Sequence, residues 1–338
     1  MINTQETDVY LLEAEFYSKP FYCSYSSANI LHEAPSRFYK EYVLKDKEDQ
    51  VAKYLLEGVL IHYLVLDGLD FDSKFIVAPE SLPSESSMDI INNVYKIHCR
   101  QDDNTLGLLD YEDQILEKLK EKNLHQRLKE DTQRIQKIAD QKGTDYFNFL
   151  KTKGKRTIID SAMLDKCSRR AEIVKADECV RKIIGLDMNH DGSKIGIYNE
   201  LELLMEPDKY PFGFKGIIDN LVVDVASGTV TINDFKTTSK SLKDFTDSVE
   251  YWNYWLQAAF YKMLVKDFLK DVIKDDWIIQ FNFVVFDRYD QLYIFPVTGI
   301  TMADWESKAE TFITQIKYHY ENKEFKLPYA FAHGNIKL

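Results

Sequence analysis

Two runs rich in alternating and β-branched residues, Phe214 to Val225 and Val230 to Thr237, are separated by only a small Ala226-Ser227-Gly228 turn. A link that short makes them neighbouring strands of a hairpin. Both carry charge: Asp219 on the first, Asp234 and Lys236 on the second. Asp234 and Lys236 are two apart, so both side chains leave the same sheet face. A tight loop centred between Ala226 and Ser227 sets Asp219 against Asp234, and one centred on Ser227-Gly228 sets it against Lys236. Either even-length loop gathers the three groups on one face. An odd loop places Asp219 opposite Phe235, on the wrong side.

Two carboxylates and an ammonium on one face repel or pair at a cost unless something organises them. Clustered hard oxygen ligands suit Mg²⁺ or Mn²⁺, which also take phosphate oxygens. Such a metal acidifies a water and neutralises charge on a phosphate in transfer. Lys236 beside it can hold or deprotonate the water, or stabilise the phosphate charge. Phe235 points its ring away from the metal and offers its backbone carbonyl as a further ligand. An Asp-x-Lys triplet is common, however, and an exposed hairpin with a surface salt bridge reads the same way.

Three further features add weight. Gly58-Val-Leu-Ile-His62 puts a glycine one turn before a histidine, giving the ring room to lean on a neighbour; a satisfied core histidine is the alternative. The strand Ile197 to Glu202 carries Glu200 and Glu202 on one face, as metal ligands or as solvated surface. Gln257 and Tyr261 stand i, i+4 on a helix, stacking an amide and a phenol, unless Tyr261 only fills the core.

The rest of the chain frames these residues. Ser26-Ser27 caps a helix running to about Tyr42, and a second helix spans roughly Asp49 to Leu66 with Val51, Leu55, Val59 and His62 on one face. Pro79 to Ser87 reads as a loop. Met88 to about Leu150 is polar and helical, with basic clusters at Lys118, Lys120 and Lys122 and at Lys151, Lys153, Lys155 and Arg156. These clusters read as a solvated helix face and a polar loop before they read as a contact for a nucleic-acid backbone. After a helical section from Ile158 to Ile184, Ile195 to Met205 begins the strands. Asp247 to Leu269 is a strong helix, Trp277 to Phe286 and Leu292 to Val297 form a second hairpin, and Met302 to Asn322 is a final amphipathic helix. Only 13 of 338 residues are Gly and 8 are Pro, which favours long helices. Helices first, then a sheet with a helix across it, make a mixed α/β single domain, residues 1–338. Within it, 1–190 is mainly helical with a polar insertion at about 88–184, and 195–325 carries the sheet, accessory helix and C-terminal helix.

In this order, helical Gly-x-x-x-His62, a strand Glu, Gly216-Ile-Ile-Asp219, Asp234-Phe-Lys236-Thr-Thr and Gln257-x-x-x-Tyr261, the chain resembles the PD-(D/E)XK nucleases of the RecB-like group. It is most similar to the phage and prophage recombination exonucleases akin to exodeoxyribonuclease VIII, over about Tyr25 to Phe325. Tyr25 to Asn29 with Pro35 to Tyr39 resembles that family's opening helix. The resemblance implies a mixed central sheet flanked by helices, with Mg²⁺ or Mn²⁺ at the sheet edge. It makes Asp219 and Asp234 the main ligands, His62 the completing one, and Lys236 the catalytic lysine. Glu200 matches the strand glutamate best, with Glu202 as fallback. Gln257 and Tyr261 line the site and help hold DNA, and Thr237 joins them as an accessory residue. Family members digest one strand from a duplex end, often as rings or other homo-oligomers, beside a single-strand annealing protein.

Other classes fit less well. Members of the resembled family that carry an iron–sulfur cluster place one cysteine early and three closely spaced ones after the Gln-x-x-x-Tyr helix. Here Cys23, Cys99, Cys167 and Cys179 all precede Asp219, so the resemblance implies no cluster, and scattered and unpaired they read as reduced core residues. There is no phosphate-binding Gly-x-x-x-x-Gly-Lys-Ser/Thr loop, so no nucleotide cofactor is expected, and neither Gly-x-Ser-x-Gly nor His-Glu-x-x-His occurs. The apolar runs are too short to span a bilayer and the acidic N-terminus lacks a secretory layout, so a cytoplasmic protein is expected, in the host cytoplasm if the chain is viral. A net charge of −12 opposes nucleic acid at long range, although bound divalent cations and a local basic patch reverse the potential within a cleft. That charge keeps open a non-catalytic alternative, a DNA-end-binding or acidic interaction protein. An endonuclease of the same superfamily is the other alternative. Arg37 is a candidate for bidentate contact with a terminal phosphate, or a plain surface arginine.

Overall fold

The computed structural model describes residues 4–47, 53–66, 69–101, 105–188 and 195–334. Among them the strands are β1 (Tyr22–Cys23), β2 (Phe75–Val77), β3 (Thr157–Ile159), β4 (Ile195–Met205), β5 (Gly213–Asp224), β6 (Thr229–Thr237), β7 (Ile278–Phe286) and β8 (Leu292–Val297). The chain divides into two compact units: Met1–Leu69 with Arg170–Leu338, and Asp70–Arg169.

The first unit holds a mixed six-stranded sheet in the order β1-β5-β6-β7-β8, with β4 paired to β5. β4–β5, β5–β6 and β7–β8 are antiparallel, while β6–β7 and β1–β5 are parallel. Helices flank it, so the fold is the mixed α/β arrangement expected from the sequence. Its core is aromatic: Phe214 of β5 meets Phe260 edge-on at 5.2 Å, and Phe245, Phe281, Phe283 and Phe312 fill the same cluster. Fully burying one such ring contributes roughly 1.5–3 kcal/mol.

β4 to β8 match the alternating pattern to within a residue or two, whereas the short β1, β2 and β3 are not among the expected strands, and β3 overlaps the start of the section expected to be helical from Ile158. The helices also depart from the pattern in instructive places. The first cap is Ser24, whose hydroxyl accepts from Ser27 N, and that helix (Tyr25–Glu33) stops before Pro35. The single helix expected from Asp247 to Leu269 is two helices, Phe245–Tyr251 and Tyr254–Phe268, because Asn253 takes a left-handed φ of 54°. The His62 helix is seen as Lys53–Val65; its expected start and the Val51 side chain lie outside the described residues. Its buried face is Leu60, Ile61, His62, Val65 and Leu66, and Leu55, expected to share that face, is 53% exposed. A β-carbon on Gly58 would meet nothing within 4 Å, so the close approach expected there is absent. Cys23 and Cys167 are buried, whereas Cys99 and Cys179 are exposed.

The hairpin register decides the site. Asp224 pairs with Thr229 and Asn220 with Asn233, leaving the even loop Val225 to Gly228 centred between Ala226 and Ser227. Asp224 Oδ1 accepts from the amides of Ala226 and Ser227 at 3.0 and 3.2 Å, which shapes the turn. Pairing of β5 with β6 stops at Asn220, and β1 pairs with β5 only at Gly213 and Phe214. Residues 215–219 of β5 therefore face a fork in the sheet.

Among its described residues, the regular structure of the Asp70–Arg169 unit is helical apart from the parallel pair β2–β3. Ile90, Ile91 and Val94 on one helix meet Ile115, Leu119, Phe147 and Leu150 on others to form its core. Its first basic cluster is neutralised locally: Lys118 pairs with Glu121, Lys120 with Asp131 and Lys122 with Asp89. In the second, Lys151 Nζ donates to Leu106 O at 3.0 Å. Among the described residues no helix is long and apolar enough to cross a membrane.

Candidate metal centre

At the fork, β4 and β5 change face together. Below it, Ile197 and Val222 turn to Gly185, at the end of the helix Glu178–Ile184. Above it, Leu201, Leu203 and Ile218 pack into the core that holds the Tyr254–Phe268 helix. The switch falls at Glu200 and Asp219, where the β4–β5 ladder skips a rung and Glu200 adopts φ 48°. A non-glycine residue there costs roughly 1–2 kcal/mol. The strain turns the Glu200 carboxylate to the His62 ring, whose Nδ1 lies 2.5 Å from Oε1.

Asp219 occupies the fork itself. Its Oδ2 accepts the Phe235 amide at 2.8 Å, replacing the ladder bond that β5 and β6 no longer make. His62 Nε2 stands 3.6 Å from the same oxygen. Ligand atoms of His62, Glu200 and Asp219 all lie within 4.8 Å of one another, a span one cation can bridge. Asp234 and Lys236 project together from β6 as their spacing requires, and their charged groups form an ion pair. Asp234 is fully buried and its Oδ1 has no hydrogen-bond partner. An orphaned carboxylate oxygen beside a His, Glu and Asp set is the donor arrangement a hard divalent cation fits.

The charges are mutually strained. Burial drives the Asp234 carboxyl up to about 7, with Asp219 pushing the same way and Lys236 opposing. Burial would lower the His62 imidazole, but Asp219 and Glu200 outweigh it and hold it above its ordinary value. For Lys236 too, burial favours the neutral amine while Asp234 and Asp219 prevail and keep the ammonium. The Tyr261 phenol is held well above its usual value by burial first, then by Asp219 and Asp234.

Gln257 and Tyr261 are buried together, Gln257 Nε2 donating to the Tyr261 hydroxyl at 2.8 Å. Gly216 makes this possible: a β-carbon there would stand 3.1 Å from the Tyr261 ring and 2.9 Å from Leu264. Thr237 ends β6 opposite Phe286, and Arg37 pairs with Glu41 at 2.5 Å. Glu202 is exposed; Glu200 is the glutamate that joins. The Phe235 ring lies 5.5 Å from the His62 ring, packed against a candidate ligand.

The sequence reading missed Tyr254, whose ring lies 4.9 Å from the Lys236 ammonium. Its signal was present, since Tyr254, Gln257 and Tyr261 recur at i, i+3, i+7 on one helix face. It also missed the brace on the elbow before Tyr254: the Tyr25 hydroxyl and Asn29 Nδ2 both donate to Trp252 O.

Residues 22–286 match the PD-(D/E)XK nuclease superfamily, and the chain belongs to it. No curated protein matches the chain. A crystal structure described as a "Putative exonuclease" from Eubacterium rectale is similar at 14% identity and a TM-score of 0.45, covering 93% of this chain and 84% of that one.

Proposed function

We propose that this protein is a Mg²⁺- or Mn²⁺-dependent exodeoxyribonuclease that hydrolyses phosphodiester bonds from double-stranded DNA ends. The observation that carries this reading is the His62, Glu200 and Asp219 donor set at a sheet fork beside the Asp234–Lys236 pair. His62, Glu200, Asp219 and Asp234 would hold the cation, with the Phe235 carbonyl as the remaining candidate ligand. When bound, such an ion supplies Lewis acidity at the phosphate and acidifies water.

The chain's own groups do the rest. Lys236 keeps a proton on Nζ, fixed between Asp234 and the Tyr254 ring, and meets phosphate charge in a site that water enters poorly. The Phe235 amide holds Asp219 in place. Tyr261 and Gln257 set the wall of the site, and Thr237 and Arg37 are its outer candidates for DNA contact. A role in phage-type recombination, with a single-strand annealing protein, a homo-oligomeric assembly and a cytoplasmic setting, follows the same family resemblance.

The test uses linear and covalently closed duplex DNA of one sequence, with Mg²⁺, Mn²⁺ or chelator. Metal-dependent loss of the linear form alone supports the reading. Cleavage of the closed circle would make the enzyme an endonuclease, and digestion undiminished in chelator would overturn the metal assignment.

A further inference from the structure

Four asparagines at matched register cross the sheet directly below the fork: Asn199 of β4, Asn220 of β5, Asn233 of β6 and Asn282 of β7. Their amides form a continuous chain. Asn282 Nδ2 donates to Asn233 Oδ1 at 2.9 Å, Asn233 Nδ2 to Asn220 Oδ1 at 2.7 Å, and Asn220 Nδ2 to Asn199 Oδ1 at 2.7 Å. The inner two also donate to the last carbonyls of the helix Glu178–Ile184, Asn233 to Ile183 O at 2.9 Å and Asn220 to Ile184 O at 3.1 Å. Asn220 and Asn233 are fully buried.

Such a chain needs a side chain that donates and accepts at once, which a carboxylate or an alkyl group of similar size does not do. A leucine in each position would fill the space and avoid the cost of burying amides. Three of the four rungs are chain neighbours of a site carboxylate: Asn199 precedes Glu200, Asn220 follows Asp219 and Asn233 precedes Asp234. The ladder is also the last paired rung before β5 and β6 part.

We infer that the Asn199–Asn220–Asn233–Asn282 ladder is a positioning device that locks strand register and so sets the three carboxylates at one level for a shared cation. This rests on the nuclease reading for its purpose, though its structural half does not. A one-residue slip of β4, β5 or β6 would turn a carboxylate away from the fork, and β7 holds the register of β6. Groups that orient ligands without touching the metal typically change affinity about 10–100-fold when removed.

The test compares Asn220→Leu and Asn282→Leu with Val180→Ala, a core change in the same flanking helix. Amide exchange at Phe235, whose N–H is held by Asp219, is read without metal, and Mn²⁺ affinity is read by calorimetry. Asn220→Leu should speed Phe235 exchange at least 10-fold and weaken Mn²⁺ about 10-fold or more. Asn282→Leu, which loses only the outermost donor, should do the same to a smaller degree and serves if Asn220→Leu does not fold. Val180→Ala should lower the melting temperature and move neither readout. Ladder variants with wild-type Phe235 protection and wild-type Mn²⁺ affinity would overturn the inference. If Phe235 responds but the wild-type protein binds no Mn²⁺, the ladder's structural role stands and the nuclease reading fails.

Discussion

The two compact units treat buried polar groups in opposite ways. In the Asp70–Arg169 unit, His98 is buried and meets the Tyr111 hydroxyl at 2.9 Å, and Tyr111 in turn donates to Gln101 at 2.9 Å. In the sheet unit His62 is also buried, yet its neighbours are carboxylates that repel one another, and an Asp234 oxygen is left with no hydrogen-bond partner. Among the described residues, every buried side-chain polar atom without a hydrogen-bond partner lies in the sheet unit. Satisfied polar burial is how a core is specified. Unsatisfied like charge at one point, maintained with a strained Glu200, marks a place built for something the chain alone does not supply.

The contrast is broken most forcefully at β6. Asp234→Asn and Lys236→Ala should each lower single-turnover cleavage of a linear duplex by about 10³-fold or more, since the first removes a charged cation ligand and the second the ammonium that meets phosphate charge. Circular dichroism should report an intact fold. His62→Ala should come next, weakening the metal-activation midpoint about 10–100-fold.

Titration sharpens the contrast further. Asp234 and His62 both hold protons more tightly in the folded protein than their ordinary values imply. A raised pKa contributes stability below the unfolded value and loses it as pH climbs through the folded one. Metal-free protein should therefore melt at lower temperature as pH rises from about 4 through 7 and beyond, by a few kcal/mol at most. Scanning calorimetry checks this, and saturating Mn²⁺ should flatten the slope because cation and protons compete. The smallest effect belongs to the helical unit. His98→Leu should cost about 1–3 kcal/mol by withdrawing a partner from Tyr111, and should leave cleavage by the folded protein unchanged.

What could be read from the residues follows the range of the physics involved. β4 to β8 were legible because β-branched alternation is local, the two-residue β1 being too short to show it, and the Asp234 and Lys236 face follows from a period of two. The sequence left register open among two even loops and an odd one, and the Asx turn at Asp224 goes with the even loop centred between Ala226 and Ser227. The choice of Glu200 over Glu202 was not legible, because it depends on a left-handed backbone and a skipped rung at one residue. Nor was the break at Asn253, where an apolar helical pattern continues through a residue that tolerates φ above zero. The asparagine ladder draws on four strands spread from 199 to 282, so no single window reveals it.

The central claim is that the fork at Glu200 and Asp219 is a cation site, and Mn²⁺ calorimetry on wild-type protein and Asp219→Asn tests it most directly. The account predicts saturable binding to the wild type, lost or weakened at least 10-fold in the variant, with the fold retained in both. Equal binding by the two proteins, or none by the wild type, would contradict it.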